Sequence, residues 1–91
     1  MHFEWDEKKS QRNRYKHGVS FREAATVFGD PLAVTCADTA HSAVEERYAT
    51  FGISAVGKAV VVVHTSRGDT IRIISARAMT PRERKDYEQP P

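Results

Sequence analysis

The run Ala59-Val60-Val61-Val62-Val63-His64-Thr65 limits what this chain can fold into more than any other feature. β-Branched side chains lose rotamer freedom in a helix and pack well on a pleated sheet, so residues 58–65 read as a strand. Continuous apolar character, rather than alternation, is the mark of a central strand covered on both faces. The run is also far shorter than the roughly 20 residues that a membrane helix needs. Two further strand candidates, 47–53 and 70–77, flank it. The connections at 54–57 and 66–69 are short and contain glycine, which favours antiparallel hairpins.

Helices precede and follow these strands. Asp6 reads as an N-cap for a polar helix reaching His17, and Gly18 as its stop. Ser20-Phe21-Arg22-Glu23 has capping-box spacing and opens a helix of about two turns, with Phe21, Ala24, Ala25 and Phe28 on one face. Gly29-Asp30-Pro31 ends it and launches an extended segment at 32–36. Residues 37–46 read as a loop. Thr80-Pro81-Arg82-Glu83 is a second capping box with proline in the first turn, opening a helix that reaches Glu88. Residues near 3–5 are a candidate edge strand. The expectation is an α+β fold of one domain, residues 1–91. It has an N-terminal helix pair, an antiparallel β-sheet of about four strands and a short C-terminal helix.

Hydrophobic residues make up 40% of the 91 and charged residues 29%, which excludes a disordered tail. The single cysteine, Cys36, cannot form an internal disulfide, and no Cys/His spacing suits zinc. The first residues lack a basic stretch followed by an apolar one, so a cytoplasmic protein is expected. The net charge of +2 conceals a pattern. Residues 1–22 carry six basic side chains against three acidic, and residues 47–91 carry eight against four. Between them, residues 23–46 carry five carboxylates and no Lys or Arg.

No phosphate-binding loop, nucleotide fingerprint or nucleophile elbow is present, and no metal or cofactor is expected. His64, inside the apolar run, reads as a core histidine, and His17 as a helix cap or phosphate contact. Lys9, Asn13 and Lys16 share one face of the first helix at i, i+4, i+7. Strand alternation places Ile71, Ile73, Ser75 and Arg77 on one face of the last strand and Arg72, Ile74 and Ala76 on the other. An arginine between isoleucines is costly unless paired or at an open cleft. Arg77 adjoins the last helix, which carries Arg84 and Tyr87. Arginine neutralises phosphate charge, and tyrosine stacks on a base or donates a proton.

In order along the chain stand Phe3-Glu4-Trp5-Asp6-Glu7, Asn13, Lys16-His17-Gly18-Val19-Ser20-Phe21, Phe28-Gly29-Asp30-Pro31, Glu45-Glu46-Arg47-Tyr48 and Gly52. Ile71-Arg72-Ile73-Ile74-Ser75-Ala76-Arg77, Glu83 and Tyr87 complete the series. The chain resembles the BrnT family, the toxin half of a bacterial type II toxin–antitoxin pair. That resemblance covers residues 3–88 and implies a RelE-like ribonuclease fold. It also implies RNA cleavage that arrests growth, and neutralisation by a BrnA-like antitoxin whose DNA-binding part is of ribbon-helix-helix type. The complex would be a hetero-oligomer that represses its own operon, touching operator DNA only through the antitoxin.

A metal-independent endoribonuclease is therefore the leading expectation. By position, the resemblance points to Arg67 and Arg77 for phosphate and transition-state charge and to Tyr87 for stacking or proton donation. Glu46 or His17 is the acid–base candidate, and Lys9, Lys16, Arg47, Arg72 and Arg84 are RNA contacts. The alternative is a non-catalytic module that binds nucleic acid or protein through its polar helices. A third reading gives those helix faces to the antitoxin.

Overall fold

A computed structural model of the chain describes residues 1–41 and 45–89. Its elements are β1 (His2–Glu4), α1 (Glu7–His17), α2 (Phe21–Thr26), β2 (Val34–Ala37), β3 (Tyr48–Ile53), β4 (Ala59–Arg67), β5 (Thr70–Ala78) and α3 (Pro81–Glu88). A 3-10 turn at Val27–Gly29 extends α2, and another lies at Thr39–His41. The five strands form one sheet in the order β1-β5-β4-β3-β2. The fold class is the expected α+β, but the sheet is mixed: β1 runs parallel to β5, and the other pairs are antiparallel. β1 comes from the far end of the chain and fills the outer edge of β5 only at Thr70, Ile71 and Arg72. No hairpin constrains its direction.

The local signals at helix ends act as their chemistry dictates. The Asp6 carboxylate accepts the amides of Lys8 at 2.9 Å and Lys9 at 3.3 Å. Gly18 closes α1 at φ 74°, a left-handed geometry with little cost for glycine alone. At Thr80 both halves of the capping box form, with bonds of 3.1 and 2.8 Å. At Ser20 only half forms. Ser20 Oγ accepts the Glu23 amide at 3.1 Å, but the Glu23 carboxylate turns away to accept Ser54 Oγ at 2.8 Å. It thereby ties α2 to the β3–β4 turn, a tertiary contact that outcompetes the local one.

α1 and α2 cover one face of the sheet. Val19, Phe21, Ala24 and Val27 pack there against Val60, Val62, Ile73 and Ala76, with Phe3, Trp5, Ala25 and Phe28 around them. α1 lacks an apolar stripe and docks through two polar side chains instead. Ser10 is 4% exposed and accepts the Phe21 amide at 2.9 Å. Asn13 is 8% exposed and donates to the carbonyls of Val19 and Ala76, each at 2.8 Å, while accepting the Ala76 amide at 3.3 Å. β1 pairs with β5 only as far as Arg72, so the Asn13 carboxamide serves as the peptide group of a missing strand neighbour. Asn13 therefore does not share an exposed face with Lys9 and Lys16, which both point to solvent.

A bulge between β4 and β5 overturns the simple alternation. Val63 pairs with Ser75 but His64 pairs with Ile73, leaving Ile74 as the extra residue. Ile71, Ile73 and Ala76 therefore face the helices, while Arg72, Ser75 and Arg77 share the opposite face. The bulge removes the cost of an arginine between isoleucines, because Arg72 reaches the open side. Cover on both faces of β4 holds for Val60, Val61 and Val62, which are buried, and weakens at Val63, which is half-buried. No helix among the described residues is long and apolar enough to cross a membrane.

Candidate functional site

The sheet face opposite α1 and α2, which α3 flanks at one end, carries a hollow of about 390 Å³. Its floor is apolar: Ala49 and Phe51 from β3, Val61 and Val63 from β4. Arg47, Asp38, Ser75 and Arg77 form its rim. Alternation in β3 puts Arg47, Ala49 and Phe51 on one face, and the bulge brings Ser75 and Arg77 to the same face from β5.

Arg77 forms a fork with Glu83 at 2.7 and 2.9 Å and donates to the Ala78 carbonyl at 3.2 Å. The bond to Arg77, helped by the Thr80 amide, holds the Glu83 carboxyl down at about 2, and the same pairing raises Arg77. Glu45 stands between two further arginines, 4.0 Å from Arg47 and 3.9 Å from Arg67. Arg72 lies 3.6 Å from Glu4. Each of these guanidiniums lies beside a carboxylate, and among these contacts the Arg77–Glu83 pair has the close two-pronged geometry.

Register separates the two leading arginines. Arg77 is opposite Val61, and Arg67 lies six residues farther along β4. At 3.3 Å per residue that is about 20 Å, so the two cannot clasp one phosphate.

Tyr87 borders a neighbouring apolar notch with Val34, Phe51, Glu83 and Asp86. Its hydroxyl donates to Asp30, whose carboxylate also accepts the amides of Ile53 at 2.8 Å and Leu32 at 2.9 Å. Burial and the Asp30 carboxylate push the phenol up to about 12, while these three bonds hold Asp30 below its ordinary value. The ring of Tyr87, rather than its proton, is what the notch offers.

The other sequence candidates lie elsewhere. Glu46 accepts the Tyr48 hydroxyl at 2.9 Å, and Tyr48 stacks on His64 on the helix-covered side. His17 shares a shallow notch with Lys58, Met79 and Arg84, and Arg84 pairs with Glu88 at 2.9 Å. Lys9 and Lys16 are exposed on α1, where Lys16 lines an outer groove with Arg12 and Tyr15. His64 is a core residue: Nε2 meets Thr50 Oγ1 at 2.7 Å, its ring packs edge-on to Phe28, and burial pushes it down to about 4. Its buried Nδ1 has no partner among the described residues.

Sequence reasoning missed Asp38, Phe51 and Ser75 as lining of the site. The alternation Arg47-Ala49-Phe51 was a usable signal for Phe51. Asp38 enters because its amide donates to the Arg47 carbonyl at 2.8 Å, extending the β2–β3 ladder beyond the strand.

Among the described residues, no three His, Cys, Asp or Glu side chains are grouped to hold a metal ion. No curated protein matches the chain significantly. The family model described as "Ribonuclease toxin, BrnT, of type II toxin-antitoxin system" matches residues 5–83. The chain belongs to the BrnT family of ribonuclease toxins of type II toxin–antitoxin systems.

Proposed function

We propose that the chain is a metal-independent endoribonuclease that holds a scissile phosphate in the hollow between Arg47 and Arg77. The observation that carries this reading is that both arginines line one hollow with an apolar floor on the sheet face opposite α1 and α2. Fixed cationic donors over a low-dielectric floor stabilise the charge that develops on the phosphorus oxygens. The nucleophile is the substrate's own 2′-hydroxyl. Its oxygen bonds to phosphorus, the bond to the 5′-oxygen breaks, and the departing oxygen takes a proton from solvent water. In this reading Asp38, the carboxylate on the rim, receives the 2′ proton. Phe51 and Tyr87 offer ring faces to flanking bases. Arg67 and Arg72, farther along the same face, would track neighbouring phosphates.

The neutralising partner in this proposal is a BrnA-like antitoxin with a ribbon-helix-helix part, through which the complex represses its operon. The family's resemblance supports it. The test of the enzymatic reading is incubation of purified chain with RNA in excess EDTA. Products ending in a 2′,3′-cyclic phosphate, with free 5′-hydroxyls, are expected. Intact RNA, with salt-dependent binding alone, would show a binding module instead.

A further inference from the structure

The two edges of the sheet are treated differently. At one, β1 and the Asn13 carboxamide occupy the outer groups of β5. At the other, β2 pairs only with β3 among the described residues, and all four of its residues are exposed. Edge strands are usually blunted by lysine, proline or a bulge. Val34-Thr35-Cys36-Ala37 has none of these, and its register with β3 is unbroken. The Asp38 amide bonds to the Arg47 carbonyl, so that pair and, by alternation, those at Cys36 and Val34 face β3. The N–H and C=O groups of Thr35 and Ala37 then point outward.

Beside this edge is the apolar notch, about 240 Å³ in volume, walled by Val34, Phe51 and Tyr87. Two apolar side chains at the start of this edge are exposed, Leu32 at 73% and Val34 at 51%. The surroundings are negative. The notch carries the exposed Asp86 beside Glu83, which is paired with Arg77, and β2 belongs to the stretch 23–46, which has no Lys or Arg. We propose that the β2 edge and its notch dock an extended peptide segment, apolar at alternate positions and basic between them, which adds to the sheet as a sixth strand. One apolar side chain would fill the notch, and lysines or arginines would face Asp86 and the acidic stretch. Main-chain bonds give affinity in this mode and the pocket gives specificity. A second copy of the chain fits less well, since joining two β2 edges would bring two acidic stretches together. The inference does not require RNA cleavage, although its notch shares Phe51 and Tyr87 with the proposed RNA site.

The test uses the full chain and a synthetic ten-residue peptide alternating valine and lysine. Binding in the range of about 10–100 µM at low salt is expected, weakening as salt screens the charges. The peptide should also slow amide exchange at Thr35 and Ala37. N-methylation of alternate peptide residues should cost at least tenfold, as should Ala37→Pro, which removes an outward N–H. Asp86→Lys, on the surface of α3, should weaken binding severalfold while leaving melting unchanged, so it decides the matter if the proline variant misfolds. Equal binding by the N-methylated peptide, or by one with glutamate in place of lysine, would overturn the proposal. So would a dimer of the free chain that Ala37→Pro dissolves.

Discussion

Asn13→Ala should destabilise this fold more than any other single change in α1. The side chain makes three hydrogen bonds, at 2.8, 2.8 and 3.3 Å, to the main chain of Val19 and Ala76. Each is worth about 1 kcal/mol net, and the groups left behind are buried where water cannot replace the lost partner. The loss is therefore about 3–4 kcal/mol. A domain of this size has only about 5–14 kcal/mol in total, so between about a fifth and four-fifths of its stability is at stake. The corresponding fall in Tm is roughly 15–25 °C. Urea unfolding measures this directly, with the midpoint falling and the slope unchanged. Gln11→Ala, on the exposed side of the same helix, should cost less than about 0.5 kcal/mol. In the wild type the Ala76 amide should be among the slowly exchanging ones, and in the variant it should exchange faster. A loss below about 1 kcal/mol for Asn13→Ala would refute the idea that this carboxamide stands in for a strand.

Gly52→Ala should cost about 1–3 kcal/mol, because an added Cβ would stand 2.9 Å from Val27 Cγ1 and 3.2 Å from both Ala33 Cβ and Asp30 Oδ2; a wild-type Tm would contradict this. His64 is held neutral by burial, at about 4 against an ordinary 6.5. Below about 6.5 the unfolded chain takes up a proton that the folded chain refuses, so stability present above that pH falls toward pH 4 by up to about 1.4 kcal/mol per unit. An NMR titration showing His64 protonating near 6.5 would contradict it. Glu83, at about 2 against 4.5, contributes stability that is present above about 4.5 and lost as pH falls toward 2. Glu83→Gln should flatten the urea midpoint over that lower window, and an unchanged slope would show that the Arg77 fork does not matter to folding.

What could be read in the sequence was local. Thr80 and Glu83 form their box because both ends of it lie within one turn, and Asp6 and Gly18 bound α1 for the same reason. The run around Val61 announced β4 through side-chain shape alone. What could not be read depends on partners distant in the chain. Glu23 leaves its box for Ser54, 31 residues away, and Asn13 turns inward to Ala76, 63 residues away. The bulge at Ile74 arises from pairing with β4, and it decides which face Arg72 and Arg77 occupy. For the site, the late arginines were visible as residue types. That Arg47 and Arg77 share a hollow while Arg67 stands about 20 Å from Arg77 follows only from register. Glu46 and His17 had the right chemistry, but the fold carries them away from that hollow.

The most direct test of the account is a comparison of RNA cleavage rates in EDTA for Arg77→Lys, Arg47→Lys, Arg84→Lys and Lys16→Ala, each checked for a wild-type melting curve. Lysine keeps the charge and removes the fork, so the account predicts a loss of about a hundredfold for the two hollow arginines. Arg84→Lys and Lys16→Ala, away from the hollow, should stay within about threefold of wild type on a short RNA, since their sites add at most a modest screened attraction. Full activity in both Arg77→Lys and Arg47→Lys, or a loss confined to Arg84→Lys and Lys16→Ala, would contradict it.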